Sequence, residues 1–271
     1  MAVLTKKQLS IIRSLSTRHG RKESGLCFCD GIRSGGEILA LRSDLVEYLL
    51  VREGTVLPEV AKNPQLAEKT CFLPEQEFEK LRDTGSSQGM IVVARRPPPV
   101  SPDAPLQGDF VLVLDKVGDP GNLGTIIRTA RAAGLKEVFL TSGSADAFSD
   151  KVIRSASGAQ FALSIRCLGN LEETAGKLRE KGIKTFFRTT PNGGKSLYKE
   201  EALYEKTAII LGSEGSGADE LDGAKDVIIP MPGDAESLNV AQAATIVLFE
   251  YVRRWDEGLL KSFHNRGMKN E

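Results

Sequence analysis

The stretch IIPMPGDAESLNVAQAATIVLFEYVR, Ile228 to Arg253, decides how the second half of this chain is read. Its opening, Ile228-Ile229-Pro230-Met231-Pro232, is a short apolar run stopped by prolines, which marks the end of a buried strand. A polar hinge follows, Gly233 to Asn239. Then Val240, Ala243, Ala244, Val247, Leu248, Tyr251 and Val252 recur at helical spacing. Asn239 is placed to cap that helix, with Gln242 in the position of a capping-box partner. Ala241, Ile246 and Phe249 occupy the other side, so the pattern predicts a helix with two buried faces. A polar loop held between such a strand and such a helix is a rigid place to build a site.

Working outward, the rest of this half alternates in the same way. Phe110-Val111-Leu112-Val113-Leu114 is an unbroken apolar run, as expected of a parallel strand covered on both faces. Asn122 can cap a following helix with Leu123, Ile126, Ile127 and Ala130 inward, closed at Gly134. Further strands are expected at Val138–Thr141, Thr185–Arg188, Ala208–Leu211 and Val227–Ile229, with a helix from Leu171 to Lys181. Glycine-rich polar loops follow several of these strands, and in parallel α/β sheets ligands bind at that carboxyl edge.

Upstream lies a smaller alternating α/β segment. Helices are expected at 5–16, 34–41, 59–67 and from Pro74 to about Asp83, and strands at 26–29, 48–51, 70–73 and 90–94. Thr17 to Gly25 reads as a loop. Five of the twelve prolines fall between Pro97 and Pro105, and such a segment favours an extended spacer. The boundaries expected are therefore a first domain over 1–96, a Pro-rich linker over 97–108 and a second domain over 109–271.

Composition narrows the chemistry. With 271 residues, 41% hydrophobic and 27% charged, the chain has ample core and no signature of disorder. Net charge is zero, but residues 1–35 carry Lys6, Lys7, Arg13, Arg18, Arg21, Lys22 and Arg33 against Glu23 and Asp30, a basic face suited to phosphate. Four cysteines without a CxxC pair, and two histidines, argue against a metal site and for a reducing, cytoplasmic setting. The first residues are too polar for a signal peptide, and no apolar run approaches a membrane span.

Three loops compete for the chemistry. Gly118, Gly121 and Gly124 follow a strand, but their GxxGxxG spacing is not the GxGxxG of dinucleotide sites. In TTPNGGKS, Thr189 stands where a phosphate-binding GxxxxGKS loop needs glycine, which leaves a turn. Leu211 to Asp219, LGSEGSGAD, lets backbone approach a ligand around Glu214. Neither a GxSxG elbow nor a Ser-His-Asp set is present, which disfavours a hydrolase.

Taken jointly, Asp119-Pro120-Gly121-Asn122-Leu123-Gly124-Thr125-Ile126-Ile127-Arg128-Thr129-Ala130, Leu211-Gly212-Ser213-Glu214-Gly215-Ser216-Gly217, and Ile229-Pro230-Met231 with Ser237-Leu238-Asn239-Val240-Ala241 strongly resemble the three motifs of the SpoU (TrmH-like) branch of the SPOUT RNA methyltransferases. Lys151 to Ala159 resembles a further block between the first two. The resemblance implies an α/β domain with a deep trefoil knot, preceded by a small L30e-like α/β domain that binds RNA. It implies transfer of a methyl group from S-adenosyl-L-methionine to a ribose 2′-oxygen in rRNA or tRNA, with 23S rRNA favoured because a separate N-terminal domain is present and a tRNA 2′-O-methyltransferase as the alternative. On the same resemblance Arg128, Asn122, Glu214, Ser237 and Asn239 are the catalytic set. Thr189, Gly212, Ile229, Met231, Ser237 and Leu238 hold the cofactor, and Arg21, Arg128 and Arg154 meet RNA. A homodimer through helix 240–252 is implied as well. The competing readings are a non-catalytic RNA-binding relative and a dinucleotide enzyme using the loop at 118–124.

Overall fold

The computed structural model describes residues 4–81, 88–213 and 215–260 and separates into two compact units. The first comprises Met1–Pro98 with Asp146–Ala162, the second Pro99–Ala145 with Leu163–Glu271.

The first unit holds α1 (Lys6–Ser14), α2 (Arg18–Ser24), β1 (Leu26–Asp30), α3 (Ile32–Arg42), β2 (Val46–Arg52), β3 (Thr70–Leu73), α4 (Glu75–Glu79) and β4 (Met90–Arg95). Its sheet runs β1-β4-β2-β3, antiparallel except for the parallel β2/β3 pair. Strand alternation sorts the core: Ile91 and Val93 face Phe28, Leu50 and Phe78, while Met90, Val92 and Ala94 face Cys29, Ile38 and Leu39. Ile153 and Phe161 complete the second face. That is why the segment carrying α6 (Asp150–Ser155) groups here, where the sequence alone assigned it to the later domain.

Two local expectations are corrected. Thr17 to Gly25 is not a loop: Thr17 accepts the Gly20 N–H at 3.0 Å, α2 follows, and Gly25 ends it in the left-handed region. The helix expected at 59–67 is instead two 3₁₀ stretches, Glu59–Lys62 and Pro64–Lys69, because Pro64 cannot continue the first. The far end of the helix expected to reach Asp83 lies outside the described residues.

The second unit holds β5 (Phe110–Leu114), α5 (Pro120–Ala132), β6 (Glu137–Leu140), β7 (Ser164–Cys167), α7 (Leu171–Glu180), β8 (Thr185–Thr189), β9 (Lys195–Ser196), β10 (Thr207–Leu211), β11 (Lys225–Ile228) and α8 (Val240–Asp256). Its parallel sheet runs β7-β6-β5-β10-β8-β11-β9. All five residues of β5 and of β10 are buried, which accounts for the apolar runs Phe110–Leu114 and Ala208–Leu211. Val111, Val113 and Ile210 pack beneath α7 residues Ala175 and Leu178. Phe110, Tyr204 and Tyr251 form an aromatic group with centroids 5.0–5.4 Å apart, and the Tyr204 hydroxyl donates to the Val247 carbonyl at 2.8 Å, which ties α8 down.

Part of the Pro-rich segment is tied to this unit. Arg166, buried and paired with Glu137 at 3.0 Å, also donates to the carbonyls of Ser101, Pro102 and Ala104 at 3.0–3.3 Å. Lys181 adds a bond to the Ala104 carbonyl at 2.9 Å, and Leu106 joins the core beside α7.

Candidate active site at the carboxyl edge of the parallel sheet

Because β5, β10, β8 and β11 are adjacent and parallel, the loops after them emerge along one edge. These are the loops that carry the motifs. Asp119, not Asn122, caps α5: its carboxylate accepts the Asn122 N–H at 2.8 Å, and Pro120 takes the first helical position, where no N–H is needed. Asn122 therefore sits in the first turn of α5 and is not its cap. Asn239 caps α8, accepting from Ala241 at 2.9 Å and Gln242 at 3.4 Å. Its amide also donates to Asn122 Oδ1 at 3.1 Å, which joins two helix starts 117 residues apart in sequence. α5 and α8 pack against each other.

Arg128 lies on the exposed side of α5 and makes no ion pair or hydrogen bond among the described residues. An exposed guanidinium without a partner among the described residues is available to an anionic ligand.

The loop after β10 is tightly folded. Ser213 and Gly217 exchange backbone hydrogen bonds at 3.1 and 2.9 Å. Gly212 is required by space: a Cβ there would lie 1.8 Å from the Ala218 nitrogen. Glu214 lies outside the described residues.

The loop after β11 has the opposite character. Ile229, Met231 and Leu238 are half-buried, and Ser237 is exposed. Main-chain groups of Met231, Ser237 and Leu238 make no hydrogen bond among the described residues. Thr189, at the end of β8, spends its hydroxyl on the Ile210 carbonyl at 3.2 Å. Apolar walls beside unspent main-chain donors and acceptors fit a purine nucleoside, which has a flat apolar face and a polar edge. The donor set is thus compatible with S-adenosyl-L-methionine.

In the first unit the two remaining arginines differ. Arg154 is half-buried and bonds Asp150 through Nε at 2.9 Å, leaving its other nitrogens free among the described residues. Arg21 is only 4% exposed, with its guanidinium on Asp146 at 2.8 Å and on the Leu15 and Ser16 carbonyls. These partners hold the guanidinium inside this unit, which gives Arg21 a structural part here. Burial pushes the Cys27 thiol up to about 12, so it is no nucleophile at neutral pH.

Sequence reasoning missed Asp115, Thr141, Lys116 and Asp219. Asp115 is fully buried at the end of β5, accepts from Thr141 Oγ1 at 2.6 Å and from the Asp219 N–H at 2.9 Å. The available signal was a carboxylate directly after five apolar residues, where a buried strand reaches its ligand edge.

The sequence relationships agree with this geometry. Residues 109–249 match the SpoU rRNA methylase family, and the chain belongs to it. It is 34% identical over 241 residues to the 23S rRNA (guanosine(2553)-2'-O)-methyltransferase RlmP of Bacillus subtilis, covering 88% of this chain and 92% of that one. Among solved structures, an AdoMet-bound rRNA methyltransferase from Sinorhizobium meliloti superposes with TM-score 0.76 at 28% identity, over 94% of this chain and 97% of that one. The SpoU methyltransferase AviRb from Streptomyces viridochromogenes, AdoMet-bound, has TM-score 0.77 over 93% of this chain and 99% of that one, and at 24% identity speaks to the fold alone.

Proposed function

We propose that this protein methylates a ribose 2′-hydroxyl in RNA, 23S rRNA foremost, using S-adenosyl-L-methionine. The observation that carries the reading is the Asn239–Asn122 bridge, which gathers the first and third motifs at one sheet edge, with Arg128 further along the same helix as Asn122 and its side chain unpaired among the described residues. When bound, the cofactor supplies an electrophilic sulfonium methyl group. The loop after β11 holds it through Met231, Ser237 and Leu238 main-chain groups and the side chain of Ile229, with Gly212 and Thr189 contributing from the neighbouring strands.

A ribose hydroxyl is a poor nucleophile, so the protein must align it and help it shed a proton. Guanidinium has a pKa above about 12 and is no base at neutral pH. Arg128 accordingly clamps the adjoining phosphate and polarises the hydroxyl, and the proton leaves to phosphate or water. Asn122 positions the nucleotide, Glu214 steadies an arginine by charge-assisted bonds, and Ser237 and Asn239 orient the reactants. Arg154 and the exposed bases Lys6, Lys7, Arg13, Arg18, Lys22 and Arg33 hold RNA phosphates, so affinity falls steeply with salt.

The same reading makes residues 1–96 an L30e-like RNA-binding domain, makes residues 109–271 a trefoil-knotted SPOUT domain, and makes the protein a cytoplasmic homodimer packed through α8. In support of the dimer, Phe249 is 49% exposed between the half-buried Ile246 and Val252. No helix among the described residues is long and apolar enough to cross a membrane.

The test is methyl transfer from labelled cofactor to ribosomal RNA and to tRNA, followed by alkaline hydrolysis, which spares the bond beside a 2′-O-methyl group. Alkali-resistant label in rRNA is expected. Arg128→Lys should cut turnover by about a hundredfold or more, because an ammonium does not replace a planar fork. Near-normal turnover and RNA affinity in that variant would remove the role of Arg128. Label in tRNA alone would move the substrate, and no label in either RNA would overturn the methyltransferase reading.

A further inference from the structure

Asp115 and Lys116 close on the same residue from two sides. Asp115 Oδ2 accepts the Asp219 N–H at 2.9 Å, and Lys116 Nζ donates to Asp219 Oδ2 at 2.5 Å. Arg188, at the end of the next strand but one from β5, donates to the Asp219 carbonyl at 3.4 Å while held by Asp226 at 2.9 Å. Asp219 is thus gripped at its N–H, its side chain and its carbonyl. It closes the loop that begins at Gly212 and folds back on itself through Ser213 and Gly217.

The grip is itself secured. Lys116 stands at φ 53°, a left-handed conformation uncommon for a residue with a side chain, and is kept there by its N–H bond to Thr141 Oγ1 at 3.1 Å. Thr141 in turn donates to Asp115 Oδ1 at 2.6 Å. A carboxylate with no solvent exposure, and with one oxygen accepting from a neighbouring strand end and the other from a loop amide, transmits position. Its two partners lie 26 and 104 residues further along the chain.

We infer that Asp115, seconded by Lys116, is a positioning residue that sets cofactor affinity by fixing the loop from Gly212 to Asp219 through Asp219. The inference rests on the methyltransferase reading, since it takes Gly212 as part of the cofactor site. Asp115 touches neither cofactor nor RNA in this account. The shape of the Gly212 turn depends on where Asp219 is anchored, because Gly212 packs directly against Gly217 and Ala218.

The experiment compares wild type, Asp115→Asn, Lys116→Met and Asp219→Asn by calorimetric titration with S-adenosyl-L-methionine, by RNA transcript binding, and by amide hydrogen exchange of the ligand-free protein. Asp115→Asn keeps the shape but removes the charge, so cofactor affinity should fall about tenfold and Asp219 amide exchange should rise about tenfold. RNA affinity should stay within about twofold, and the KM for the cofactor should rise more than kcat falls, a split that general destabilisation does not produce. Lys116→Met and Asp219→Asn should each cost about two- to threefold, and their double variant no more than the worse single one, because both break the same contact.

Wild-type cofactor affinity in Asp115→Asn overturns the inference. Should that variant not fold, wild-type affinity in both Lys116→Met and Asp219→Asn overturns it instead. If the wild-type protein itself fails to bind the cofactor, the methyltransferase reading falls. Exchange at Asp219 then tests the grip alone, and an unchanged rate in Asp115→Asn removes it.

Discussion

Two loops leave neighbouring stretches of the same sheet edge and are built on opposite principles. The loop after β10 is closed on itself by the Ser213–Gly217 pair, packed without room for a methyl group at Gly212, and anchored at Asp219 by Asp115, directly after β5, and by Arg188 of β8. The loop after β11 is held at its ends by β11 itself and by the Asn239 cap, and leaves the main chain of Met231, Ser237 and Leu238 without hydrogen-bond partners among the described residues. The first is shaped in advance by the protein. The second keeps its hydrogen-bonding capacity for something else. A backbone polar group that the protein does not satisfy must find water or a ligand, and a half-buried apolar lining favours a ligand that offers both. Rigidity in one loop and unspent polarity in the other divide the work of binding between shape and recognition.

The sharpest way to break this comparison is Gly212→Ala. A Cβ at that position would sit 1.8 Å from the Ala218 nitrogen and 1.9 Å from the Gly217 carbonyl carbon, both main-chain atoms that cannot swing aside. Overpacking of this kind costs about 1–3 kcal/mol, and the turn must reopen to accept it. The expected result is a melting temperature lower by several degrees, roughly 2–4 °C per kcal/mol for a chain of this size, with cofactor affinity down at least about tenfold. Differential scanning calorimetry and titration with S-adenosyl-L-methionine read both numbers. An unaltered melting curve would mean that the loop after β10 is as adaptable as its neighbour.

An intermediate effect is expected at the end of the second loop. Asn239→Ala removes the cap of α8, a loss of about 1 kcal/mol, and also the amide that donates to Asn122. The two helix starts then lose their bridge, so turnover should fall further than stability does. Asn239→Asp preserves the cap acceptor but not the amide donor to Asn122. It should therefore restore most of the melting temperature while leaving turnover low. Full recovery of turnover in Asn239→Asp would show that the cap alone mattered.

How much of this could be read beforehand follows the range of the interactions. Phe110–Leu114 and Thr70–Leu73 are fixed by local apolar runs, and the reading of both coincides with the observed strands. The helix of α8 follows from its periodicity and extends to Asp256 because Arg254 pairs with Glu250 and reaches the Leu197 and Glu200 carbonyls. α2 was missed because RHGRKES has no apolar stripe, and its ends are set by a Thr17 side chain and a left-handed Gly25. Arg21 illustrates the same limit at a candidate site residue. In sequence it is one more charge in a basic run, and only folding shows that Asp146 and two carbonyls use it up. The motif loops were legible as loops. What shapes them was not, because Asp115 meets Asp219 across 104 residues and no local pattern encodes that pairing.

The smallest effect completes the comparison, because it applies the same chemical change to the unanchored loop. Gly233 has no atom within 4 Å of where a Cβ would stand, and its φ is not in the left-handed region. Gly233→Ala therefore meets neither a clash nor a forbidden conformation. The added methyl group also narrows the unfolded ensemble, which contributes stability of about 0.4–1 kcal/mol when the native backbone accepts alanine. The net expectation is a melting temperature unchanged or slightly raised and cofactor affinity within about threefold of wild type, set against the losses in Gly212→Ala. Measured side by side, the two substitutions separate a loop whose conformation is dictated by packing from one whose conformation is left to its ligand. A loss at Gly233 as large as that at Gly212 would mean that the loop after β11 is also held in a single shape before anything binds, and the division between shape and recognition would not stand.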